Sequence, residues 1–249
     1  MPDRPDPALG VFETLLVSEG RIQRLDGHLD RLGRSLGQLY GLVRPPRLPH
    51  ELEAQAATLS GCNRLRVDAI PRDGALEIEL TSSPLAPGAA PGVIGAPVLV
   101  PGGLGEHKWR DRRWIQALTT SGDVPLLMDR DGCLLEAAWG NVWLREGDRL
   151  ITPPADGRLL PGVIRAALIE RAPALGFTVA EEPVSLTRAV EAAEVFLTSS
   201  LRLAVPAGIT NHLEPGSGSA PASPSPVLER IRTALVSDEG PTGDRARLV

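Results

Sequence analysis

The sequence predicts a mixed α/β chain of two domains, small ahead of large, and three observations carry that reading. Leu25, Leu29, Leu32, Leu36 and Leu39 follow one another at spacings of four, three, four and three, which is one face of a helix. Residues 64–70 and 75–80 alternate apolar with polar side chains around Pro71-Arg72-Asp73-Gly74, the pattern of a hairpin with one buried face. From residue 84 to 101 the composition turns to Pro, Gly and Ala, as a passage between domains does. The expected boundaries are a small α/β domain at 1–97, an interdomain linker at 98–106, a larger domain at 107–236 and a disordered tail at 237–249.

Taken in order, residues 11–17 read as a strand, and Gly20-Arg21 turns the chain into a second short one. The leucine-striped helix follows and ends near Gly41; a second helix is expected at 51–59, stopped by Ser60-Gly61. In the hairpin, Leu65, Val67 and Ala69 join Leu76, Ile78 and Leu80 on the apolar face, and the wet face sets Arg64 and Arg66 across from Glu77 and Glu79. The second half resumes at His107. Residues 109–117 read as helix, and 126–128 and 133–135 as strands around Asp129-Arg130-Asp131-Gly132; 142–144 and 149–151 are further short strands. A helix at 163–171 opens after Leu160-Pro161-Gly162, 195–198 is a buried strand, and 227–235 is a last helix. Residues 215–226, low in complexity and built of Pro, Ser, Gly and Ala, read as a mobile loop.

Composition narrows the function. A length of 249 residues with 42% hydrophobic content supports a packed core. A net charge of −5 without any dense basic run excludes a nucleic-acid or anionic-membrane surface and leaves a small-molecule ligand. Cys62 and Cys133 are far apart and lack metal-ligand spacing, so they read as buried thiols in a reducing compartment. The start, MPDRPDPALG, lacks the layout of a signal peptide, and no apolar run approaches the length of a bilayer span. The expectation is a cytoplasmic protein with no metal site.

One residue stands apart. Lysine and arginine together number 26, yet Lys108 is the only lysine. Arginine carries charge anywhere on a surface but is never deprotonated in a protein, whereas lysine in a suitable setting becomes a nucleophilic amine. A biased composition accounts for the missing lysines, not for the one retained.

Five segments occur in order: GVFETLL at 10–16 with GHLDRLGRS at 27–35, HKWRDRR at 107–113, LLEAAWGNVW at 134–143, TPPADGRLLPGVIR at 152–165 and EVFLTSSLRLAVPAG at 194–208. In them the chain resembles the fold-type IV enzymes dependent on pyridoxal 5′-phosphate: branched-chain and D-amino-acid aminotransferases and 4-amino-4-deoxychorismate lyases. The resemblance implies a D-amino-acid aminotransferase-like fold, with a β-barrel-like core in the larger domain, and a homodimer.

Such a cofactor makes three demands, and the resemblance assigns residues to each. Its aldehyde needs an amine, which Lys108 supplies as an aldimine. Its pyridine nitrogen must stay protonated, which calls for a buried carboxylate, here Glu136. Its phosphate needs donors, implied to be the backbone of Gly162, Val163 and Ile164 at a helix start, the hydroxyls of Ser199 and Ser200, and the charge of Arg31. Related transaminases often carry threonine where Ile164 stands, so the contact there is backbone only. His28 and His107 are read as structural. Asp111 and Arg112, three and four residues after Lys108, share its face if the segment is helical, either ordering the site or pairing within the helix. Asn141 is a cofactor neighbour or a turn former; Trp109 and Trp139 line the pocket or fill the core.

The beginning almost at GVFET, the compact hairpin and SSLRLAVPAG resemble aminodeoxychorismate lyases most, and no Arg-x-His element of the D-amino-acid aminotransferases follows the hairpin. The implied reaction converts 4-amino-4-deoxychorismate to 4-aminobenzoate and pyruvate, for folate synthesis or a specialised product, with Arg202 or Arg112 as carboxylate partners. A branched-chain or D-amino-acid aminotransferase is the alternative within the family. A scaffold that has lost its cofactor is the alternative outside it, and the intact set of Lys108, Glu136 and Gly162 counts against that.

Overall fold

The computed structural model describes residues 4–86, 92–119, 123–210 and 224–236. The expected tail at 237–249 and most of the loop expected at 215–226 lie outside the described residues. Among the described residues no helix is long and apolar enough to cross a membrane.

The first unit is a four-stranded sheet with two helices. Val11–Ser18 (β1) and Arg21–Ile22 (β2) come first, followed by Leu25–Tyr40 (α1) and Leu48–Ala56 (α2). Cys62–Arg72 (β3) and Ala75–Pro84 (β4) complete it in the order β2-β1-β3-β4. The apolar face of the sheet and the leucine stripe of α1 meet in one core around Leu15, Val17, Leu32, Leu36, Leu65 and Val67. Helix α2 starts three residues earlier than the expected 51–59 because Leu48 and Leu52 are its buried anchors and Pro49 suits a first turn.

The hairpin corrects its expected register. Asp73 and Gly74 both have positive φ, 48° and 79°, so the turn is a tight two-residue one that pairs Arg72 with Ala75. Arg66 consequently opposes Thr81 and Arg64 opposes Ser83, while Asp68 faces Glu79 and Ile70 faces Glu77. The like-charge pair is bridged by Arg110, at 3.2 Å from Asp68 and 3.6 Å from Glu79. The polar face of β3 is not simply wet: Arg64 and Arg66 look into a cavity between the two sheets.

The second unit begins at Val93–Leu99 (β5), which pairs with strands of the second sheet, so the crossing between sheets falls ahead of the linker expected at 98–106. Arg113–Leu118 (α3), Val124–Met128 (β6), Cys133–Ala137 (β7), Gly140–Glu146 (β8) and Arg149–Thr152 (β9) follow. Then come Val163–Arg171 (α4), Thr178–Glu181 (β10), Val184–Ser185 (β11), Leu186–Glu191 (α5), Glu194–Ser199 (β12), Leu203–Ile209 (β13) and Pro226–Val236 (α6). Strands β8, β12, β13, β5, β6 and β7 form a ring, closed by pairing of β7 with β8, with β9-β10 and β11 as extensions. The barrel-like core expected for the larger domain is therefore present. Alternation along β8 and β12 explains its layers: Val142, Leu144, Val195 and Leu197 share one core. Trp143 and Phe196, stacked with centroids 6.0 Å apart, pack on the other side with Ile164 and Leu168 of α4 and Leu228 and Ile231 of α6.

Two further expectations are corrected. Helix α3 starts at Arg113, not at Trp109, because the segment before it is recruited as an extended partner of β1 through the bridge Val11 to Trp109. Neither cysteine is buried: Cys62 is exposed at the rim where β3 begins, and Cys133 is half-buried beside the turn into β7; both are free.

Candidate active site

Between the two sheets lies a cavity of about 330 Å³. Lys108, Glu136, Arg31, Gly162, Val163, Ile164, Ser199 and Ser200 all line it, although they come from both units and five separate stretches of chain. The amine is placed by strand pairing. The Phe12 N–H donates to the Lys108 carbonyl at 2.9 Å and the Arg110 N–H to the Gly10 carbonyl at 3.0 Å, which lays residues 108–110 alongside β1. In this extended run Trp109 turns into the first core, its Nε1 donating to the Leu104 carbonyl at 2.8 Å, and Lys108 Nζ lies 4.8 Å from the centre of the Phe12 ring. The helical face expected to join Lys108 with Asp111 and Arg112 therefore does not exist. Asp111 is buried and pairs with Arg113 and the Asp6 N–H, while Arg112 reaches the cavity and donates to the Ala138 carbonyl at 2.6 Å.

Desolvation dominates the titration of the two central groups. The Lys108 pKa falls to about 8, first from burial and then from the Arg31 charge, with Glu13 opposing and Arg112 adding to the fall. The Glu136 pKa rises to about 7 through burial, offset only in part by the Leu160 N–H at 3.3 Å and the nearby charges of Lys108 and Arg112. Glu136, next to last in β7, has 7% of its surface exposed and no direct ion-pair partner among the described residues.

A further part of the cavity wall suits an anion. Helix α4 opens at Gly162 without a side-chain cap, leaving its first N–H groups available, and Ser199, the last residue of β12, and Ser200 after it line the same cavity. Gly162 is required by close approach: a Cβ there would stand 1.9 Å from Asn141 Oδ1. Asn141 in turn donates to the Leu160 carbonyl at 2.8 Å, so it braces the loop that leads into α4. His107 lines the cavity with Nδ1 3.1 Å from Ser35 Oγ and its ring edge-on to Trp109, and burial lowers its pKa.

Arg31 is not on a solvated face of α1. It is 4% exposed, and its Nε and Nη2 donate to Glu13 Oε1 and Oε2, each at 2.7 Å, while Nη1 donates to the Pro161 carbonyl at 3.0 Å. His28 Nδ1 lies 2.8 Å from the same Glu13 Oε2. Sequence reasoning missed Glu13, although the pattern contained a signal: an acid alternates with Val11, Leu15 and Val17 on the buried face of a strand. A second stripe of His28, Arg31 and Ser35 runs beside the leucines of α1 and faces it. Also missed were Arg64 and Arg66. Arg66 holds Asp68 through two hydrogen bonds of 2.7 and 2.6 Å and lies 3.9 Å over the Phe12 ring.

A buried acid lacking a cation, a buried amine with lowered pKa and an uncapped helix start at one cavity match the three functional ends of pyridoxal 5′-phosphate: ring nitrogen, aldehyde and phosphate. The residues present fit that cofactor. Residues 110–208 match the amino-transferase class IV family. The chain is 24% identical to the D-alanine aminotransferase of Bacillus licheniformis over 256 residues, 91% of this chain and 86% of that one. Its fold is that of a hypothetical aminotransferase from Mycobacterium tuberculosis in its PLP-bound form, with a TM-score of 0.79 at 21% identity over 96% of this chain and 93% of that one. The 4-amino-4-deoxychorismate lyase of Pseudomonas aeruginosa is similar too, with a TM-score of 0.71 at 24% identity over 94% of each chain. The protein is a fold-type IV enzyme that uses pyridoxal phosphate. Within that class its likeness is to the class IV aminotransferases, whose family model matches residues 110–208.

Proposed function

We propose that the enzyme is a 4-amino-4-deoxychorismate lyase, forming 4-aminobenzoate and pyruvate in the cytoplasm as a homodimer. The observation that carries this reading is a surplus of cations in the cavity. Arg64, Arg112 and Arg202 line it and none forms an ion pair with a carboxylate among the described residues. Arg64 Nε is buried without a partner, and Arg202 lies 4.6 Å over the Trp139 ring. With Arg31 given to the phosphate, these guanidiniums call for a ligand that brings two more anionic groups, since the arginine fork matches a carboxylate. Aminodeoxychorismate carries an amine and a carboxylate on a small ring and a second carboxylate on the enol-ether side chain that leaves as pyruvate.

Pyridoxal phosphate supplies an aldehyde that condenses with primary amines and a conjugated ring that accepts the electron pair of a neighbouring C–H bond. Glu136 would hold the ring nitrogen in its protonated form, and the start of α4, Ser199, Ser200 and Arg31 would hold the phosphate. Lys108 has a pKa lowered to about 8, so a useful fraction of Nζ is a neutral amine near pH 7.5 and able to take the proton from C4 of the substrate. Phe12, Trp114 and Trp139 add apolar wall to the same cavity.

The test is to supply holoenzyme with aminodeoxychorismate and no oxo acid. Equimolar pyruvate and 4-aminobenzoate over many turnovers is the expected result. Amino-group transfer from an amino acid to 2-oxoglutarate, with no pyruvate from aminodeoxychorismate, would overturn it in favour of a branched-chain or D-amino-acid aminotransferase. The likeness to a D-alanine aminotransferase along 91% of the chain makes that the second reading, and a dicarboxylic oxo acid would also use the surplus arginines.

A further inference from the structure

We infer that Glu13 is a positioning residue that aims Arg31 at the cofactor's phosphate, an inference that rests on reading Arg31 as a phosphate-holding group. Arginine has five N–H donors in a fixed plane. Glu13 takes two of them, both at 2.7 Å, and the Pro161 carbonyl takes a third at 3.0 Å. One N–H remains on each terminal nitrogen of a side chain that lines the cavity.

Glu13 projects from β1, the inner strand held between β2 and β3, and is 2% exposed. His28, one helical turn before Arg31, meets the same Oε2 at 2.8 Å; because a carboxylate only accepts, His28 Nδ1 must carry the hydrogen. Strand and helix therefore fix the carboxylate, the carboxylate fixes the plane of the guanidinium, and the guanidinium reaches across to the loop that starts α4. An anion site whose halves come from different sheets needs such a brace, since a long arginine otherwise samples many rotamers.

Charge argues that the role is geometric. A carboxylate beside Arg31 weakens the pull of the cavity on a phosphate, so by Coulomb's law alone Glu13→Gln would tighten phosphate binding. A positioning role demands the opposite sign. At metal sites, outer partners that orient a ligand are worth about tenfold to a hundredfold in affinity, and a guanidinium held for a phosphate is the same kind of arrangement.

The experiment measures the affinity of cofactor-free protein for pyridoxal phosphate and for pyridoxal, which lacks the phosphate. Glu13→Gln is expected to weaken pyridoxal phosphate about tenfold and leave pyridoxal unchanged. Unchanged or tighter binding of pyridoxal phosphate by Glu13→Gln, while Arg31→Gln weakens it, overturns the positioning role. Equal loss for both ligands also overturns it, as general damage to the cavity. If Arg31→Gln leaves pyridoxal phosphate binding untouched, the phosphate reading of Arg31 fails instead and takes this inference with it. Should Glu13→Gln not fold, His28→Leu removes one donor from the same carboxylate and is expected to weaken pyridoxal phosphate about fivefold, again sparing pyridoxal. No difference between the two ligands in that variant overturns the inference as well.

Discussion

Glu13 and Glu136 are the same residue type, both buried, and the fold treats them in opposite ways. Burial alone would raise the pKa of Glu13, but the Arg31 guanidinium and hydrogen bonds from Arg31 and His28 more than reverse that and hold it well below the usual carboxylate range. Burial raises Glu136 to about 7 because its only close donor is a backbone N–H. One carboxylate has found its cation inside the chain; the other waits for one. Burying a charge without a partner is costly enough that a chain retains the arrangement only where a ligand completes it. The difference thus separates scaffold from site without reference to any relative.

Neutralising the waiting acid should affect catalysis and stability in opposite directions. Glu136→Gln keeps the shape and removes the charge that would face a protonated ring nitrogen, so kcat should fall on the order of 10²–10³, as for loss of one preorganised electrostatic group. Its effect on the cofactor-free protein should be the reverse. The folded-state pKa of Glu136 lies above its unfolded value, so the folded chain binds the extra proton and stability declines as pH rises from about 4.5 through about 7. That decline amounts to on the order of 3 kcal/mol. Chemical denaturation at pH 5 and pH 8 should show it in the wild type and not in Glu136→Gln. A Glu136→Gln protein no more stable than wild type at pH 8 would mean that the acid already has its partner.

The satisfied acid should respond in the opposite sense. Glu13→Gln leaves a buried guanidinium without its counter-charge and should destabilise the protein at neutral pH by about 3–5 kcal/mol. Because the folded-state pKa of Glu13 is depressed, its contribution is complete above the ordinary carboxylate range and is lost as pH falls below it. The gap in stability between wild type and variant should therefore narrow in acid, as urea melts at pH 7 and pH 3.5 would record. A gap that stays constant would show that packing, not charge, holds Glu13.

Only one of these two acids was legible in the sequence, and the reason is physical. Glu136 sits inside a run, LLEAAWGN, where no cation is near in the chain, so its oddity is local. The oddity of Glu13 disappears only when a strand is laid on a helix, since its partners lie 15 and 18 residues away. Elements set by local pattern came out as read: the leucine-striped helix became α1, and the helix after Leu160-Pro161-Gly162 became α4 at 163–171. Elements set by pairing did not. The run 109–112 has the look of a helix but is taken up by β1, and the hairpin register followed from two positive φ angles at Asp73 and Gly74. The closure of the ring through β7 and β8, and the turning of Arg64 and Arg66 toward the cavity, depend on how two sheets meet. Pattern alone cannot distinguish a wet face from the wall of a cavity.

The unsatisfied acid is also tied to its surroundings through the loop before α4. Leu160 is shared: its carbonyl accepts from Asn141 Nδ2 at 2.8 Å, and its N–H is the donor at 3.3 Å from Glu136 Oε2. Asn141→Ala removes a buried hydrogen bond and should cost about 1 kcal/mol in stability. It also frees the loop, so Glu136 should lose part of its one backbone donor and titrate higher, moving the pH-dependent decline of the cofactor-free protein upward. The Glu13 end serves as an internal control, since the chain contacts the same loop there through Arg31 and the Pro161 carbonyl, one residue further on. If Asn141→Ala shifts the decline set by Glu136 but leaves the acid-side loss set by Glu13 where it was, the two carboxylates are independent devices joined only by a loop. If both move together, the loop itself couples the ring-nitrogen end of the cavity to its phosphate end, and the two acids must be treated as one system.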